Sequence, residues 1–106
     1  INLADVTKKL EEITVMYSQK IRELQKVELA YNLRFWHLTL HSGMGTIVAK
    51  EAEANTVCNE EGLLEPVQVL RADIKALYYE KDCYIELSKN IRIMEDRYSY
   101  GGQEQQ

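Results

Sequence analysis

Apolar residues return at alternating steps of three and four along the first forty positions. Leu3, Val6, Leu10, Ile13, Tyr17, Leu24, Val27, Tyr31 and Leu38 share one seam, with Lys20 and Arg34 as its polar members. That spacing, held over about five heptads, predicts a long amphipathic helix over residues 3–42 with a helical partner along the seam. Lys8, Lys9, Glu11, Glu12, Arg22, Glu23 and Lys26 occupy its other faces.

The stretch from Val27 to Leu40 carries a second apolar face. At about 100° per residue, Leu29, Leu33, Trp36 and Leu40 cluster nearly opposite Leu24, Val27, Tyr31 and Leu38. Phe35 and Ala30 fall between the two. A helix apolar on both sides must be covered on both. The expectation is that this stretch lies inside a bundle of at least three helices, or where two interfaces meet.

His41-Ser42-Gly43-Met44-Gly45 interrupts the pattern. Two glycines this close cost roughly 2 kcal/mol relative to alanine inside a helix, so a break is expected here; the alternative is one helix running through to about Asn59, its glycines allowing close helix contact. Gly43 suits the left-handed position past a helix end, and Thr46 suits a cap for the next helix. Residues 46–61 read as a short helix with Ile47, Val48, Ala54, Val57 and Cys58 as its apolar content. Gly62 and Pro66 bracket a second turn. Pro66 fits the first turn of a last helix over residues 66–98.

In that last helix, Val67, Leu70, Ile74 and Leu77 form one seam. Tyr84, Leu87, Ile91, Met94 and Tyr98 form another, displaced by three residues across the polar Lys81-Asp82-Cys83. Residues 99–106 have no period and are expected to be a disordered tail. The first and last helices would span about 60 and 50 Å, so a hairpin returning the last along the first is geometrically sound.

The fold class expected is therefore all-α: long heptad-patterned helices in a coiled-coil or helical-hairpin bundle, oligomeric, with one domain over residues 1–98. The predicted interface draws Leu10, Ile13, Tyr17, Leu24, Val27, Tyr31, Leu33, Phe35, Trp36, Leu38 and Leu40 from the first helix. From the last it draws Leu70, Ile74, Leu77, Tyr78, Tyr84, Leu87, Ile91 and Met94. Tyr78 and Tyr79 point about 100° apart, as do Phe35 and Trp36, so one of each pair is free for a second surface.

Composition narrows the classes of function. Five Gly and one Pro in 106 residues are too few turn formers for a many-stranded fold. The chain starts at Ile1 and reads as a piece of a longer protein. The net charge is −4, and residues 43–66 alone hold one base and five acids. No segment concentrates the positive charge that nucleic acid requires. Two cysteines make no disulfide framework, which points to a reducing, intracellular setting, cytoplasmic or nuclear. No apolar run approaches the ~20 residues of a membrane span.

Candidate chemistry is thin. His37 and His41 stand at a spacing zinc can use, and Cys58 or Cys83 could add sulfur. The pair lacks the Glu of the metalloprotease helix motif and any Cys-x-x-Cys, and histidines near a helix C-terminus are favoured by its dipole. Cys58 and Cys83 lie within predicted helices, with no activating base or oxyanion site in the pattern. Gly43-Met44-Gly45-Thr46 lacks the strand and the Lys of a phosphate loop. No catalytic residue, metal or cofactor is expected.

The segment Pro66–Asp82 resembles, in its heptad apolar spacing, the second helix of banana-shaped membrane-curving domains. That resemblance implies a helical dimer lying on anionic lipid. It departs from such domains in charge, since the bases here alternate with acids where a lipid-gripping face clusters Lys and Arg. The main expectation is a non-enzymatic interaction module of a larger scaffold or adaptor, pairing as a homodimer, with another helical protein, or both.

Overall fold

A computed structural model describes the backbone of residues 2–104 and the side chains of residues 2–98. Three helices account for nearly all of it: α1 (Leu3–Leu40), α2 (Ile47–Glu60) and α3 (Leu64–Glu104), with no strand among the described residues. No helix among them is long and apolar enough to cross a membrane.

Each helix end has a local cause. At the start of α1 the Asn2 side chain accepts the Asp5 N–H at 2.9 Å, and the Asp5 carboxylate accepts the Asn2 N–H at 3.4 Å. This reciprocal pair satisfies donors that have no partner within the helix. α1 stops at Leu40, two residues before the expected boundary. The break falls where the glycines predict it, but Gly43 is not left-handed; Gly62 is the only described residue at positive φ. Ser42 takes over the turn instead. Its hydroxyl accepts the Met44 N–H at 3.2 Å and donates to Glu53 at 2.8 Å. A side chain that bonds the backbone two residues on makes a left-handed residue unnecessary.

Thr46 caps α2 from an extended conformation, its hydroxyl accepting the Ala49 N–H at 3.1 Å. Thr46→Ala is expected to cost about 1 kcal/mol of stability, read as a lower urea midpoint with an unchanged slope. At the other end Gly62 sits at φ 75°, with its N–H on Asn59 O and the Leu63 N–H on Cys58 O, both at 3.0 Å. These are the two bonds of a Schellman end, and they turn the chain directly into α3.

α3 begins at Leu64, two residues before the expected start. Pro66 still lies in the first turn, where no carbonyl one turn back awaits its missing N–H. The helix runs unbroken through the exposed Lys81-Asp82-Cys83. It also continues through residues 99–104, where a disordered tail is expected from the sequence. Extending an existing helix requires no new nucleus, so the lack of apolar period does not end it. Residues 105–106 of that tail, like Ile1, lie outside the described residues.

The chain gathers into two compact units, Ile1–Ser18 with Lys75–Gln106, and Gln19–Ile74. In the first, Val6, Ile13 and Leu77 are buried, and Leu3, Leu10, Tyr17, Tyr84, Leu87 and Ile91 are half-buried. In the second, Ala54, Cys58, Val67 and Leu70 form the buried core. α2 reaches that core through two small side chains, Ala54 and Cys58, which lets it lie close to its neighbours.

Candidate interaction surface

Within Gln19–Ile74, the seam side of α1 is held to α2 and α3 by polar links. Lys20 pairs with Asp73 at 3.7 Å, and Glu28 with Arg71 at 3.1 Å. The positions descend along α1 as they ascend along α3, so the two helices run antiparallel here. The Tyr31 hydroxyl donates to the Asn55 side chain. Arg34 grips Glu61 with both prongs, Nε to Oε2 at 2.9 Å and Nη2 to Oε1 at 2.6 Å. The polar members of the α1 seam, Lys20 and Arg34, thus meet acids from α3 and from the end of α2 respectively.

The hydrogen bonds from Arg34 hold the Glu61 carboxyl below its ordinary range and raise the guanidinium in turn. A depressed carboxyl contributes stability above its unfolded-state value and loses it as pH falls through the folded one. The wild type is therefore expected to lose more of its neutral-pH melting temperature than Glu61→Gln does on acidification below about pH 4. The effect should be small, because each side chain is more than a third open to solvent.

The opposite face of α1 has no such cover. Leu29 is 59% exposed, Leu33 64%, Trp36 60% and Leu40 77%. Every link just described leaves from the seam side, at residues 20, 28, 31 and 34. The expectation that residues 27–40 are covered on both sides is therefore not met within one chain. α2 and α3 both take the seam side, where Arg34, Tyr31 and Glu28 find partners. Phe35 lies at the boundary, half-buried, stacked on Tyr31 at 5.9 Å and edge-on to Trp36 at 6.0 Å. It connects the covered face to the open one. Past the helix end Met44, Ile47 and Val48 are exposed as well.

The predicted interface residues accordingly divide. Ile13, Leu70 and Leu77 are buried, while Leu10, Tyr17, Leu24, Val27, Tyr31, Phe35, Leu38, Ile74, Tyr84, Leu87 and Ile91 are half-buried within the chain. Leu33, Trp36, Leu40, Tyr78 and Met94 are exposed. Tyr79 is exposed together with Tyr78, although one of the two was expected to face a seam. Their rings lie edge-on at 6.3 Å, and Lys75 reaches within 5.9 Å of the Tyr79 centroid. Sequence periodicity misses Val15 and Met16, exposed in the first unit beside Lys8, Glu11 and Glu12. It also misses the reciprocal Asn2–Asp5 cap, although Asn and Asp three apart before an apolar run is a recognisable signal.

The His37 and His41 rings lie 4.5 Å apart, and among the described residues no group of three or more potential ligands is placed to hold a metal. Cys58 is fully buried and Cys83 exposed, both as free thiols. Burial first, and then the Glu61 charge, push the Cys58 thiol up, with Arg34 opposing. A buried thiol held protonated is a poor nucleophile. Burial likewise raises the Tyr31 phenol. No family model, curated protein or solved structure matches the chain.

Proposed function

We propose that the chain is a non-catalytic protein–protein interaction segment of an intracellular, cytoplasmic or nuclear scaffold or adaptor, self-associating through its helices in coiled-coil fashion. One observation carries the reading: Leu29, Leu33, Trp36 and Leu40 stand exposed in a row on a helix whose other side is already packed. Monomeric proteins seldom leave a contiguous apolar stripe of this kind in water, and where one occurs it marks an interaction site. Trp at its middle is the residue type most enriched among binding hot spots. Light scattering over a concentration series tests the proposal. A mass near twice the 12.3 kDa chain that dissociates on dilution is expected. A single-chain mass at every concentration would remove self-association from the reading.

A further inference from the structure

The spacing along the exposed stripe is symmetric. Leu29, Leu33, Trp36 and Leu40 follow one another at steps of four, three and four, and fall within about 60° of the helix circumference. A four-three-four pattern reads the same from either end. Reversed upon itself, it sets Leu29 against Leu40 of a second copy and Leu33 against Trp36. We infer that two copies pair antiparallel through this stripe, with a two-fold axis between Leu33 and Trp36. The inference rests on the self-association proposed above and specifies its surface and its direction.

Charge selects the direction. Arg22 and Lys26 lie on the same side of α1 as the stripe, N-terminal to it, and have no ion-pair partner among the described residues. A parallel pair sets these bases beside their own copies. An antiparallel pair carries them to the far end of the second copy's α1. There the last carbonyls of a helix favour a cation. The second copy thus supplies a helix C-terminus for the bases at each end of the stripe as well as a matching apolar centre.

The area is of the right order. The exposed parts of three Leu and one Trp amount to roughly 500 Å² per copy, or about 1,000 Å² for the pair. Fully covered, that meets the threshold of about 1,000 Å² for a biological interface and stays below the ~1,200 Å² of stable ones, as suits a dimer that dissociates on dilution; Met44 and Ile47 are exposed beyond its end.

Spin labels measure the geometry directly. In a Cys83→Ser background, with Cys58 shielded in the core, a label is placed at Gln25→Cys and, in a second sample, at His37→Cys. Both sites are exposed, and neither belongs to the stripe or to the two bases beside it. An antiparallel pair separates the two copies of residue 25 by 19 positions along the axis, about 28 Å, and those of residue 37 by five, about 8 Å. Electron–electron dipolar spectroscopy should therefore give a long distance at 25 and a short one at 37. Equal short distances at both sites would overturn the antiparallel pairing while leaving self-association standing. Long distances at both, in a sample of dimer mass, would show that the stripe is not the interface. A labelled monomer with no dipolar signal would overturn the pairing and self-association together, and leave the stripe to a different chain.

Discussion

Leu70→Asp is expected to abolish the folded helices of Gln19–Ile74, with most of the circular-dichroism signal at 222 nm lost at 25 °C. Leu70 is buried beside Val67, Ala54 and Cys58 in a core of few side chains. Truncating such a leucine to alanine already costs about 2–5 kcal/mol, because the cavity left behind closes only in part. A carboxylate adds the cost of a buried charge, or of the proton needed to neutralise it. Domains of this size are stable by only about 5–15 kcal/mol. Urea titration of Leu70→Ala should show an intermediate loss with the transition still cooperative. An unfolding midpoint for Leu70→Asp within error of wild type would mean that Leu70 does not lie in the core.

Leu33→Asp should have the reverse profile. Leu33 is well exposed, and an exposed substitution in a helix ordinarily moves stability by no more than about 0.5 kcal/mol. Helicity and the urea midpoint, taken at high dilution, should stay near wild type. Association should fall by roughly 100-fold in Kd, equivalent to about 3 kcal/mol, since a two-fold interface meets the new charge twice. Sedimentation or light scattering at matched concentrations reads this directly. A Leu33→Asp chain that still dimerises fully would exclude the stripe from the interface. Together the two variants separate what folds the chain from what joins it to a partner.

The division between those two roles shows how far the sequence can be read. Every member of the α1 seam, from Leu3 to Leu38, is buried or half-buried, and Lys20 and Arg34 in that seam prove to be held by Asp73 and Glu61. A strict period is a long-range signal and survives into three dimensions. The two apolar faces of residues 27–40 are a different matter, because periodicity treats them alike. The covered face is settled by partners distant in the chain: Asn55 for Tyr31, Glu61 for Arg34 and Arg71 for Glu28. No window along the sequence contains those pairings. Boundaries fared according to their chemistry. Thr46 and Gly62 act as their residue types predict, whereas Ser42 displaces Gly43 through a side-chain bond that composition does not reveal. α3 outruns its apolar pattern because an established helix propagates cheaply through polar residues.

Trp36 is the only tryptophan, and it stands at the middle of the exposed stripe, outside the core. The chain therefore carries its own optical probe of whatever lies on that face. Its indole is largely hydrated in the folded single chain and hydrated again when the chain unfolds, so denaturation leaves its emission colour nearly unchanged. Covering the stripe removes water from the ring, and the emission moves to shorter wavelength. The half-buried Tyr17, Tyr31 and Tyr84 report on folding through the near-ultraviolet, and the single indole reports on contact. Two wavelengths then follow two separate equilibria in the same unlabelled sample.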